Sequence, residues 1–74
     1  MDCINRPKLR GLIAEKGYNL TTLSEATGIT RIALSNIMHG HTPNYKSMKS
    51  IARALEMTPE LAGHIFFGAD LRDT

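Results

Sequence analysis

The stretch LSEATGITRIALSNI, residues 23–37, places a single glycine between two short segments whose apolar residues recur at helical spacing. The first segment ends before Gly28 and the second begins after Thr30, so only three residues separate them. A turn this short needs a residue that adopts positive φ, which glycine does without strain. Two helices that cross at about 90–120° through such a turn form a helix-turn-helix. We therefore predict that arrangement for this stretch.

The second helix of the pair shows two different sides. On a wheel of about 100° per residue, Leu34, Ile37 and Met38 fall on one side and are predicted to pack inward. The other side carries no acidic residue and is rich in hydrogen-bonding groups; its members are Arg31, Ile32, Ser35, Asn36 and His39. Such a face suits the DNA major groove, where base edges offer donors, acceptors and the thymine methyl group. The alternative is an ordinary solvent-exposed surface.

Three of these side chains have a specific match among base edges. Asn36 can pair with adenine through two hydrogen bonds, and Arg31 can bind guanine or a phosphate. Ile32 can lie against a thymine methyl group or against a protein partner. These pairings follow from side-chain geometry alone.

The rest of the chain predicts three further helices, and no window alternates with a period of two. A first helix begins at Asn5 or Arg6 and is closed by Gly17, and Asn44 caps a fourth. The fifth runs from Pro59 to Phe67 behind the cap Thr58. The second helix is predicted at Leu20–Thr27 and the third at Arg31–His39. The residues of the second helix predicted to face the core are Leu23, Ala26 and Thr27. Those of the fourth helix are Tyr45, Met48, Ile51, Ala52 and Leu55. We predict an all-α fold in one domain, residues 1–74, with a core at about 6–67 and a tail at 68–74.

Composition excludes several classes of protein. The chain is 42% hydrophobic, and its single cysteine, Cys3, cannot form an internal disulfide. Its longest apolar runs fall far short of the roughly 20 residues of a membrane span. His39 and His41 lack further ligands at metal-binding spacing, and no nucleophile–base set is visible. We expect a cytoplasmic protein that is not an enzyme and has no metal or cofactor.

Charge is distributed unevenly along the chain. Up to Ala54, eight Lys and Arg stand against three acids, a net charge of +5. From Leu55 onward, one Arg stands against four acids, a net charge of −3. A basic body suits an anionic partner such as DNA, although an ordinary charged surface accounts for it equally well.

The sequence LSEATGITRIALSNIMHG followed by SIARALEMTPEL resembles the DNA-binding domain of phage lambda-type repressors and Cro proteins, the xenobiotic-response-element family. The resemblance covers roughly residues 6–67. It implies a five-helix bundle whose third helix enters the major groove, usually in a homodimer on a pseudo-palindromic operator. The implied base contacts are Arg31, Ile32, Ser35 and Asn36, and the implied phosphate contacts are Thr30, His41, Asn44, Tyr45 and Lys46.

The chain departs from the family pattern at three positions. Leu20 stands where many members have a glutamine that holds a phosphate and braces the third helix. Thr27 replaces an apolar residue. Glu56 occupies a turn position where glycine is usual.

The sequence HIFFG near the end of the fifth helix suggests a second surface. Phe66 and Phe67 are adjacent and cannot both face inward, so we expect Ile65 or Phe66 in the core and Phe67 partly outside. The residues Ile65, Phe66 and Phe67 are thus a candidate dimer or protein interface, or else a plug over the core.

Two functions follow from these features. The first is a sequence-specific transcriptional regulator of the phage or mobile-element repressor type, binding a double-stranded operator as a homodimer. The second is an antirepressor or modulator of the same fold that binds another repressor protein rather than DNA. Leu20, Ile32 and an exposed Phe67 favour the second.

Overall fold

The computed structural model of the chain describes residues 4–68, and these form five α-helices joined by connections of three to six residues. No strand occurs within this range. The all-α class and the five-helix bundle with its helix-turn-helix are confirmed. The helices are α1 (Arg6–Glu15), α2 (Leu20–Thr27), α3 (Arg31–Met38), α4 (Tyr45–Ala54) and α5 (Pro59–Phe67).

Each helix begins at a side-chain cap, because Asn and Thr oxygens accept hydrogen bonds from backbone N–H groups that the first turn leaves unpaired. The caps are Asn5, Asn19, Thr30, Asn44 and Thr58. At α2 the bonding is reciprocal, since the Thr22 hydroxyl oxygen also accepts from the Asn19 N–H at 2.9 Å. Such caps typically contribute about 1 kcal/mol each. They explain why helices this short start where the sequence predicts.

One hydrophobic core is shared by all five helices. Its buried members are ten apolar residues: Leu9, Ile13, Leu23, Leu34, Ile37, Met38, Ile51, Leu55, Ile65 and Phe66. The two ends of the described chain meet where the Asn5 N–H donates to the Ile65 carbonyl at 2.8 Å. No polar or charged side chain is buried among residues 4–68. Packing of apolar side chains therefore supplies most of the stability.

Two residues predicted to face the core are exposed instead. Ala26 lies one position off the inner face of α2, which centres on Leu23 and includes the half-buried Thr27. Tyr45 is the first residue of α4 and projects beyond the edge of the core with 71% of its surface exposed. The inward stripe of α4 therefore begins at Met48. Both predictions are wrong for the same reason. Helical spacing shows which residues share a side of a helix, but it does not show how far the neighbouring helices extend to cover that side.

The ends of the helices and of the described chain differ in places from the prediction. The third helix ends at Met38, with His39 as its C-cap, one residue earlier than predicted. None of the helices in residues 4–68 is long and apolar enough to cross a bilayer. The predicted tail falls, apart from Gly68, outside the described residues, and the assignment of residues 1–74 to one domain stays a prediction.

Candidate nucleic-acid interface

The turn between α2 and α3 is held by glycine geometry and by one hydroxyl. Gly28 adopts φ 77° and its N–H donates to the Ser24 carbonyl at 2.8 Å, which closes α2. The Thr27 hydroxyl donates to the Leu23 carbonyl at 2.8 Å and accepts from the Ile29 N–H at 3.2 Å. Ile29 is half-buried against the core. Thr27 thus stabilises the turn through bonds that an apolar residue at that position could not make.

α3 begins immediately after this turn and presents its polar side to solvent. The Thr30 hydroxyl oxygen accepts from the Ala33 N–H at 3.1 Å, and its hydroxyl hydrogen remains available to an external acceptor. Behind the exposed side, Leu34, Ile37 and Met38 are buried as predicted. Packing of these three side chains fixes which residues of α3 face outward.

The outward face consists of Arg31, Ile32, Asn36 and His39, with Ser35 half-buried beside them. Ile32 has 76% of its surface exposed. Asn36 is exposed, and its side-chain amide makes no hydrogen bond to any of residues 4–68. An unpaired amide of this kind is available for two-bond pairing with a base edge.

His39 folds back over the end of α3. Its Nδ1 lies 2.7 Å from the Ser35 carbonyl oxygen and 3.5 Å from the Ser35 hydroxyl oxygen. The Ser35 hydroxyl therefore has a polar neighbour, whereas the Asn36 amide has no hydrogen-bond partner among residues 4–68. Of the two central polar residues of α3, Asn36 is the more accessible to a ligand.

The loop after α3 and the start of α4 hold the other residues expected at phosphates. His41, Asn44, Tyr45 and Lys46 are all exposed. The Asn44 side-chain oxygen accepts from the Ser47 N–H at 2.8 Å, which leaves its NH₂ group free to donate. The His41 carbonyl, in contrast, is engaged by the guanidinium of Arg6.

Basic residues that the sequence interpretation left scattered come together in the fold. Lys46, Lys49 and Arg53 follow an i, i+3, i+7 spacing along α4 and line one groove beside α2. The floor of this groove is made of small residues, Ala26, Thr27, Ser50 and Ala54. The sequence shows the helical spacing of these basic residues. It does not show that α2 packs beside them and forms the other side of the groove.

Leu20, at the start of α2, has 38% of its surface exposed. It lines a shallow, mainly apolar groove together with Tyr18, Ser35 and His39. Where the resemblance expects a polar side chain that braces the third helix, this chain therefore supplies an apolar one. Leu20 cannot make the side-chain hydrogen bonds by which such a polar residue would hold α3, so other residues must make them.

The candidate interface at the end of α5 is divided between core and surface. Ile65 and Phe66 are buried, so both fill the core and neither is exposed to a partner. Phe67 has 57% of its surface exposed and lies beside Tyr45 and Met48 in an apolar groove between α4 and α5. The predicted interface therefore depends on Phe67.

Comparison with known proteins agrees with this geometry. Residues 8–60 match the family described as Cro/C1-type HTH DNA-binding domain, a match that extends from α1 to the first turn of α5. This is a DNA-binding family and not an enzyme family. No match was found among curated proteins or among solved structures.

Proposed function

The chain belongs to the Cro/C1-type helix-turn-helix DNA-binding family, and on that premise we propose that it is a sequence-specific transcriptional regulator of the phage or mobile-element repressor type. α3 is the recognition helix in this proposal and lies in the major groove. The observation that carries it is the outward face of α3, which has no acidic residue and holds an unpaired, exposed amide at Asn36.

Base reading is assigned to four residues of α3. Asn36 pairs with adenine, Arg31 binds guanine or the adjoining phosphate, and Ile32 covers a thymine methyl group. Ser35 is the fourth and supplies a single hydrogen bond, since its hydroxyl lies beside His39. This division gives Asn36 the largest share of sequence discrimination.

Phosphate contacts are assigned to both ends of α3. Thr30 lies at its N-terminal end, and the residues at its other end are His41, Asn44, Tyr45 and Lys46. Contacts on two sides of the recognition helix fix its orientation in the groove without reading sequence. We place the chain on its operator as a homodimer, with Phe67 at the contact between copies.

A second function is favoured by the exposed apolar residues. Ile32, in the first turn of α3, is 76% exposed, and Leu20 and Phe67 are exposed as well. An antirepressor that covers the DNA-binding surface of another repressor would use such residues. This alternative predicts weak DNA binding that barely responds to salt.

The two functions are separated by DNA selection combined with a salt titration. The regulator should select a symmetric consensus from random duplexes. If Arg31 and Lys46 of both protomers each neutralise one phosphate, roughly four phosphates are neutralised and the slope of log K against log salt should be about −3.6. No consensus together with a slope near zero would reject the regulator. Under those conditions, a tight complex with a purified repressor would establish the alternative.

A further inference from the structure

We propose that Arg6 and Arg10 of α1 are positioning residues that hold the C-terminal end of α3 and the loop after it in the orientation needed for base reading. The inference rests on the proposed function, because it concerns how that function obtains its specificity. It also supplies the support for α3 that the apolar Leu20 does not provide.

Arg6 joins α1 to two successive parts of the interface. Its Nε donates to the Ile37 carbonyl at 2.7 Å, and its Nη2 donates to the His41 carbonyl at 3.3 Å. The first acceptor belongs to the last turn of α3 and the second to the loop that leads to α4. One planar guanidinium therefore links the recognition helix to the loop assigned to phosphate contact.

Arg10 repeats the contact one helical turn further along α1. Its Nη2 donates to the Met38 carbonyl at 3.2 Å. Residues four apart lie on the same face of a helix, so both guanidiniums approach the end of α3 from one side. The bonds connect residues 28 to 35 positions apart in the chain, so only the folded arrangement of α1 and α3 creates them.

The acceptors explain why arginine suits these positions. The last carbonyls of a helix lack intrahelical partners and carry the negative end of its dipole. Charged donors make stronger bonds to them than neutral donors do. Met38 and Ile37 directly follow Asn36, so a tilt of the last turn would displace the amide from a base edge. Hydrogen bonds to that edge tolerate only a few tenths of an ångström.

The arrangement leads to an unusual expectation for two arginines of a DNA-binding protein. Because the N–H groups named above donate to protein carbonyls, we do not assign these two arginines to phosphates. Replacing a phosphate-binding cation weakens binding to all sequences and makes the salt slope less steep by about 0.9. Replacing a positioning residue should instead lower the preference for the operator and leave the slope unchanged.

The test compares Arg6→Gln and Arg10→Gln with Lys8→Gln, an exposed cation of the same helix, using the selected operator and an unrelated duplex. We expect the ratio of specific to non-specific affinity to fall about tenfold in each arginine variant, the loss typical of one mismatched base pair. Lys8→Gln should preserve the ratio. Arg10→Lys should retain most of the affinity ratio, because the amine of a lysine can replace the single bond to the Met38 carbonyl. Arg6→Lys should not retain it, because Arg6 donates to two carbonyls at once. Uniform weakening with a less steep slope would overturn the proposal.

Hydrogen exchange tests the positioning role of Arg6 without DNA. The N–H groups of His39, Gly40 and His41 bond to carbonyls of the last turn of α3. Their hydrogen exchange should accelerate in Arg6→Gln relative to the Leu55 amide, which is bonded to Ile51 in α4. Equal acceleration everywhere, or none, would reject the positioning role. If the wild-type chain showed no sequence preference for DNA, the proposed function would be rejected. The exchange experiment would still show whether Arg6 holds the end of α3.

Discussion

Asn36 is the exposed amide at the centre of the outward face of α3, and its replacement tests base reading at a single residue. Asn36→Ala should abolish discrimination at one operator position, at a cost of about 1–3 kcal/mol, because a two-bond pair with a base is lost. The measurement is selection of duplexes by the variant, compared with wild type and with His64→Ala on α5. Retention of the full consensus with weaker binding would assign Asn36 to the DNA backbone instead.

Glu56 is a residue in a conformation that favours glycine. Its φ of 56° places a side chain in the left-handed region, which costs roughly 1–2 kcal/mol. Its carboxylate lies 3.7 Å from the Lys16 amine, a largely exposed ion pair that contributes little. The extra entropy of a glycine in the unfolded chain offsets about 0.5–1 kcal/mol of this strain. Glu56→Gly should therefore raise the free energy of unfolding by a net of roughly 0.5–1 kcal/mol.

Urea unfolding of two variants separates strain from charge at this site. Glu56→Gln keeps the strained backbone and removes only the ion pair, so we expect its stability to match wild type closely. Glu56→Gly should exceed both. A loss of stability in the glycine variant would mean that the turn does not store the strain inferred from its φ angle.

The turn between α2 and α3 depends on the backbone conformation of Gly28 rather than on the space around it. A Cβ added at Gly28 would meet no atom within 4 Å, but the residue has φ 77°. Gly28→Ala should therefore destabilise the protein by about 1 kcal/mol through strain alone. Gly11, within α1, also has open space and no positive φ, so Gly11→Ala should stabilise by a similar amount. Thermal unfolding of the pair checks both signs.

The helices themselves could be predicted from sequence because their signals are local. Thr30 and Thr58 cap their helices through bonds to residues three positions later, and Gly28 ends α2 by its own conformation. The exposed position of Tyr45 and the contacts of Arg6 with α3 depend on residues far away in the chain. Spacing along one helix holds no information about such contacts. The outward face of α3 could therefore be predicted from the sequence, whereas the hydrogen bonds from α1 that hold its end could not.

The basic groove along α4 and the exposed Phe67 of α5 lie on different helices of the molecule, and we expect them to contact different partners. Lys46, Lys49 and Arg53 concentrate positive charge along α4. Phe67 lies near the C-terminal end of the described chain, in α5, whose only Lys, Arg, Asp or Glu is Glu60. The end of α5 offers an exposed apolar side chain, and α5 contains no Lys or Arg, so this surface suits contact between two copies better than contact with DNA phosphates.

Dimer formation is therefore predicted to depend on the apolar character of Phe67. Phe67→Ser should shift sedimentation toward monomer and weaken binding to a duplex with two half-sites, because the second protomer no longer gains from its neighbour. Binding to a single half-site should be unchanged, since α3 is untouched. Phe67→Leu, which keeps an apolar side chain, should retain most of the dimer. If the serine variant dimerised as well as wild type, the contact between copies would have to lie elsewhere, and Phe67 would have no role beyond covering the edge of the core.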